Sequence, residues 1–194
     1  MGYFLIFENM LPSVLAVRDR CLADGGQIIP SEASLYICGY TGDFYDPDSD
    51  SIEANKAGVS EAVIALLEEK NIITKCERMM TIDLRTVKNY TNDFRSVVQL
   101  SVLKGEQLSG LCSWFNCKLT PTSNLDTSPS SKPTHWKQTF FPLKNKIALK
   151  ENDTIEVEVH ARPQVANHRA LDITIRVRGA AISEEIIEEY KISQ

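Results

Sequence analysis

Apolar positions change period along this chain, and the changes predict its elements. Leu11, Val14, Leu15, Arg18 and Leu22 fall on roughly one helical face, with leucine as its bulk. Asn9 is placed to cap such a helix, Pro12 sits in the first turn where proline is tolerated, and Gly25-Gly26 ends it. The spacing therefore predicts a helix from Leu11 to Leu22. After the glycines the period drops to two. Ala33, Leu35 and Ile37 alternate with Ser34, Tyr36 and Cys38, which is a strand pattern. Val63, Leu66 and Leu67 return to helical spacing with Glu68, Glu69 and Lys70 on the solvent side, predicting a short amphipathic helix from Val59 to Lys70.

Downstream the text reads as strands. Val98, Leu100 and Val102 alternate, as do Leu111, Phe115, Cys117 and Leu119 with one interruption, and Ile155, Val157 and Val159. The clearest set is Leu171, Ile173, Ile175 and Val177, interleaved with Asp172, Thr174, Arg176 and Arg178. Many short alternating strands with turn-rich connections imply a sandwich or barrel. The expected fold is mainly β: a β-barrel-like domain with an N-terminal helix and a short helical excursion. Two connections stand out, the acidic, turn-rich stretch from Gly42 to Gly58 and the polar stretch from Thr120 to Lys132. No internal repeat of 20–50 residues is visible.

Composition narrows the class. With 194 residues the chain can bury a real core, and 43% apolar with 24% charged residues is ordinary for a globular protein. No apolar run approaches the length of a helical membrane span. The opening MGYFLIFENMLPSVL lacks a basic n-region and is interrupted by Glu8, so it does not read as a signal peptide. The net charge of -5 argues against direct nucleic-acid binding and is compatible with a cationic peptide partner. The five cysteines are odd in number and scattered, without zinc-finger spacing, and read as buried small hydrophobes in a reducing cytoplasmic or nuclear setting.

Two stretches carry candidate chemistry. In Met1 to Met10, MGYFLIFENM, Glu8 is the lone carboxylate of an apolar decapeptide. It either caps or solvates the start of the following helix, or it is a buried carboxylate that binds a cation and needs a partner to offset its desolvation. In Pro133 to Phe141, PTHWKQTFF, a histidine adjoins a tryptophan at the end of the polar connection. Trp136 is either a core aromatic beside a surface His135, or the two rings recognise a flat cation by stacking and hydrogen bonding. His160 and His168 read as surface residues flanking a hairpin. No GxGxxG, P-loop, HExxH or nucleophile elbow is present.

Together the two stretches resemble the protein arginine methyltransferases, closest to the type I enzymes. MGYFLIFENM resembles that family's double-E loop, beginning just after the first of its two glutamates, and Glu8 matches the second. Thr134-His135-Trp136 within THWKQT matches the family's THW loop, with Ser128-Pro129 before it. Arg18 to Pro30, RDRCLADGGQIIP, resembles the stretch entering the family's barrel.

The resemblance implies that residues 1–26 end a methyltransferase core and residues 27–194 form a β-barrel substrate domain, with an arm-like insertion at about 41–70 in the dimerisation-arm position. It implies that Glu8 and His135 are catalytic and that Tyr3, Met10 and Trp136 bind substrate. S-adenosylmethionine would be bound by an N-terminal domain outside this chain, so the chain by itself is expected to be inactive. Arginine-rich proteins are the implied substrates, and a homodimer or a methyltransferase paralogue the implied assembly.

Overall fold

The computed structural model describes residues 1–42 and 60–193. One α-helix, α1 (Leu11–Cys21), precedes the strands. The strands are β1 (Glu32–Tyr40), β2 (Ser60–Glu61), β3 (Val63–Ala65), β4 (Glu77–Asp83), β5 (Phe94–Ser101), β6 (Gln107–Thr120), β7 (Ser123–Asp126), β8 (Gln138–Ala148), β9 (Thr154–Pro163), β10 (Leu171–Gly179) and β11 (Ile186–Ile192). One sheet runs β3-β8-β6-β1-β4, with β7 also paired to β6; the other runs β2-β11-β10-β9-β5. The β2–β11 pair is parallel.

The two sheets share one core, which makes the arrangement barrel-like. Leu35, Ile37, Leu111, Phe115 and Phe141 of the first sheet join Ile155, Val157, Val159, Ile173, Ile175 and Tyr190 of the second. Phe141 meets Tyr190 edge-on at 5.1 Å, and the Tyr190 hydroxyl donates to the Pro142 carbonyl at 2.8 Å. The expected alternation holds on β10, where Leu171, Ile173, Ile175 and Val177 are all buried and the residues between them are half-exposed. The exposed alternates belong to an ion-paired face in which Glu158 meets Arg95, Arg176 and Arg178.

The predicted helix from Val59 to Lys70 is not formed by its described residues. Residues 63–65 instead pair with β8, placing Val63 opposite Phe140 and Ala65 opposite Gln138. The Leu67 N–H donates to the Gln138 side-chain oxygen at 2.8 Å, which carries the strand-like course one step further. Ala65 and Leu67 are buried while Leu66 is 53% exposed, a period of two that the leucine pair concealed. An open edge of β8 supplies hydrogen bonds that local helix propensity does not outweigh. Of the arm-like insertion, residues 43–59 lie outside the described residues.

Two further expectations need correction. Thr120 to Lys132 contains β7, folded back on β6, and the Thr127 hydroxyl there donates to the Phe115 carbonyl at 2.8 Å. In α1, Pro12 does lie in the first turn, but Met10 occupies the cap position and no side chain caps the helix. Leu11, Leu15 and Arg18 are buried, whereas Val14 and Leu22 are exposed. The Arg18 guanidinium is buried because it reaches the Leu84 and Val87 carbonyls at 2.6 and 2.5 Å.

Cys38, Cys112 and Cys117 are buried as expected, but Cys21 and Cys76 are exposed. Burial pushes the Cys117 thiol up to about 12, so it is protonated near neutral pH. His168 is exposed, while His160 lies within β9, half-buried, with Nε2 2.9 Å from an Asp93 carboxylate oxygen. Among the described residues, no helix is long and apolar enough to cross a membrane.

Candidate functional site: a carboxylate cleft closed by two aromatic rings

The first ten residues form an irregular plug against the core. Phe4, Leu5, Ile6 and Phe7 are buried, and the Phe4 ring packs on Phe94 and Phe141. Phe4, Leu5, Glu8 and Asn9 have φ of 51°, 63°, 72° and 55°, the left-handed region that non-glycine residues avoid. Each such residue costs about 1–2 kcal/mol, and burying each of the four side chains returns about 1.5–3 kcal/mol. Burial therefore holds the loop in a shape the local chain disfavours. Gly2 is needed for close approach, since a Cβ there would overlap the Phe7 carbonyl. The Asn92 side-chain amide donates to the Ile6 carbonyl at 2.9 Å and ties the loop from the other side.

In this backbone Glu8 does not cap α1, and its partners lie elsewhere. Its N–H donates to the Arg169 carbonyl at 2.8 Å, and its Oε1 accepts from Arg169 Nη2 at 2.7 Å. The carboxylate thus has a cationic partner, but it is half-buried and not the fully buried carboxylate of the second reading. Arg169 lies in the connection between β9 and β10, and no sequence signal singled it out.

Trp136 reaches the same loop from the connection between β7 and β8. Its indole N–H donates to the Met1 carbonyl at 2.8 Å and its ring meets Phe115 edge-on at 5.7 Å. His135 lies over it, with ring centroids 3.9 Å apart. Trp136 thus packs on the core through Phe115 and also forms part of a cleft wall. The turn carrying the pair is set by the Lys137 N–H donating to the Thr134 carbonyl at 3.1 Å, with Lys137 at φ 51°.

Met1, Gly2, Tyr3, Phe7, Glu8, His135 and Trp136 line one cleft of about 200 Å³. Four of the five residues expected at a site thus meet: Glu8, His135, Tyr3 and Trp136. Met10 does not line the cleft; it is 47% exposed at the start of α1. The cleft offers one carboxylate, one imidazole and aromatic walls, a set that suits a planar cation. It is smaller than the roughly 300–1,000 Å³ of typical small-molecule sites. Among the described residues, no group of three or more His, Cys, Asp or Glu side chains is placed to hold a metal ion.

Two mostly antiparallel sheets in a barrel-like arrangement, with a carboxylate and a His-Trp pair at one cleft, define the class of domain. Comparison with known proteins makes it specific. A family model described as the arginine methyltransferase oligomerization subdomain matches residues 43–180. Protein arginine N-methyltransferase 1 of Oryza sativa subsp. indica is 31% identical over 188 residues, covering 90% of this chain and 49% of the relative. Probable protein arginine N-methyltransferase 3 of Arabidopsis thaliana is 32% identical over 219 residues, covering 92% of this chain and 36% of the relative. Among solved structures, a chain of the Trypanosoma brucei PRMT1 enzyme-prozyme heterotetrameric complex with AdoHcy superposes with a TM-score of 0.86 at 27% identity, covering 100% of this chain and 66% of that one.

The chain belongs to the protein arginine methyltransferase family and is homologous to the C-terminal part of those enzymes. It spans about half the length of the curated relatives it matches.

Proposed function

We propose that this chain is the substrate-side half of an S-adenosylmethionine-dependent protein arginine N-methyltransferase. The observation that carries this reading is the meeting of Glu8 and Tyr3 with His135 and Trp136 around one cleft. In this reading Glu8 accepts the substrate guanidinium, which stays protonated near neutral pH and offers a planar fork of N–H donors. Tyr3 and Trp136 flank the guanidinium, and His135 closes the cleft from the side of the polar connection. A second carboxylate, supplied from outside the described residues, would complete the clamp and hold the guanidinium charge away from the attacking nitrogen. Positioning and electrostatics would then supply most of the rate.

S-adenosylmethionine supplies the methyl group when bound. In this reading it is held outside the cleft of about 200 Å³. Methyl-transfer enzymes with an AdoHcy-bound relative, and a match to an oligomerization subdomain, support both the cofactor and assembly with a second copy or a paralogue. Arginine-rich proteins are the substrates this reading implies.

The test is a transfer assay on the complete protein with labelled S-adenosylmethionine and a Gly/Arg-rich peptide. Methylarginine should form, and Glu8→Gln should reduce the rate by about 100-fold or more. Retained activity in Glu8→Gln would remove Glu8 from the site. One observation favours a second reading, since one structural neighbour is an enzyme-prozyme complex. If the complete protein transfers no methyl group alone but raises the activity of a co-purifying paralogue, the chain is a regulatory partner.

A further inference from the structure

We infer that Arg169 is a positioning residue for the site: it occupies one oxygen of the Glu8 carboxylate and leaves the other for the substrate. The inference rests on the proposed role of Glu8. Arg169 holds Glu8 from both ends, accepting its backbone N–H at 2.8 Å and donating from Nη2 to Oε1 at 2.7 Å. The two residues are 161 positions apart, so the β9–β10 connection brings this contact to the cleft.

That connection is itself well tied. The Ala170 N–H donates to the Asn167 carbonyl at 2.9 Å, the Gln164 N–H to the Ala170 carbonyl at 3.0 Å, and the Arg169 N–H to the Asn167 side-chain oxygen at 3.1 Å. Ala170 is 1% exposed and anchors the turn in the core. The backbone at position 169 is therefore fixed whatever side chain it bears.

The pair is poorly suited to stabilising the fold. The Arg169 and Glu8 side chains are 67% and 33% exposed, and ion pairs of that exposure contribute little. Its geometry also matters. A guanidinium and a carboxylate can join through two parallel bonds, yet Arg169 makes only one to Glu8. Among the described residues no donor takes Glu8 Oε2.

An incoming guanidinium thus finds a carboxylate with one oxygen engaged and a like charge beside it. It binds less tightly than it would to a free carboxylate, through fewer bonds and in fewer orientations. Ground-state affinity is given up for a defined approach, which raises kcat when only one orientation reacts.

The signature is a split between the kinetic constants. In the complete enzyme, Arg169→Ala should lower KM for a Gly/Arg-rich peptide about threefold or more while lowering kcat roughly 10- to 100-fold. Arg169→Lys, which keeps the charge and a donor, should return both constants toward wild type. Equilibrium binding of the same peptide, followed by fluorescence anisotropy, should tighten in Arg169→Ala and weaken in Glu8→Gln. A general loss of structure would instead lower kcat with the active fraction and leave KM unchanged.

Unchanged or raised KM in Arg169→Ala, with Glu8→Gln still inactive, overturns the role of Arg169 alone. Normal peptide binding and turnover in Glu8→Gln overturns the reading of Glu8 on which it rests.

Discussion

The two sheets bury their strands differently, and the difference explains which parts of this protein are readable from sequence. In the five-stranded sheet β9 and β10 face the core on one side only. Ile155, Val157, Val159, Ile173, Ile175 and Val177 point inward, and the outward alternates carry the Arg–Glu network around Glu158. In the six-stranded sheet β1 and β6 are covered on both faces. Leu35, Ile37, Leu111 and Phe115 enter the shared core, while Cys38, Tyr40, Cys112 and Trp114 form a second cluster with Ala65, Leu67 and Phe140. Residues 108–115 are buried without a break. One-sided burial writes a clean period of two into the sequence, and two-sided burial blurs it, as the interruption in β6 shows.

The comparison can be broken most directly on the outer faces. Trp114→Ala, in the second cluster and stacked on Tyr36 at 5.8 Å, should destabilise the chain by about 3–5 kcal/mol in equilibrium urea unfolding. Thr174→Ala, on the outer face of β10, should change stability by less than about 1 kcal/mol. Equal effects at the two positions would mean that the outer cluster is not a core.

A smaller effect tests the strand that replaced a predicted helix. Leu67→Ala should cost about 2 kcal/mol, whereas Leu66→Ala should stay within roughly 0.5 kcal/mol. The reverse order would restore the helical spacing.

The smallest effect lies at the end of β4, in the six-stranded sheet. The Arg85 guanidinium holds the Asp83 carboxyl down to about 2. A carboxyl with a lowered folded-state pKa adds stability above its ordinary value near 4, and that contribution disappears as pH falls toward 2. Asp83→Asn should therefore flatten a slight acid-side loss of stability between about pH 4 and 2, measured as thermal midpoint against pH. With the pair at the surface, the change should be close to the limit of detection.

Much of the fold was legible for the same reason that β10 was. Alternation in Leu171 to Val177 and in Ile155 to Val159, and the helical face of Leu11, Leu15 and Arg18, are local patterns that survive burial. The course of Val63 to Leu67 was not legible, because AVIALLEE favours a helix and only the edge of β8 makes it a strand. The site divides similarly. Glu8 and the His135-Trp136 pair stood out as polar or aromatic exceptions in short motifs. Arg169 sits in a polar turn with no motif, and Met10 shares a motif with Glu8 yet does not line the cleft.

By itself the sequence determined the class of protein: two family-like motifs, an N-terminal helix and a series of strands with their inward faces marked. These follow from residue chemistry and short periods, which need no knowledge of distant neighbours. Only the tertiary structure decided who meets whom. It paired Glu8 with Arg169, joined the Trp136 indole to the Met1 carbonyl, covered β1 and β6 on their second face, and held four left-handed residues in one loop by burying the side chains of Phe4 to Phe7. Such contacts depend on strand order and register, which bring together residues that no local pattern links.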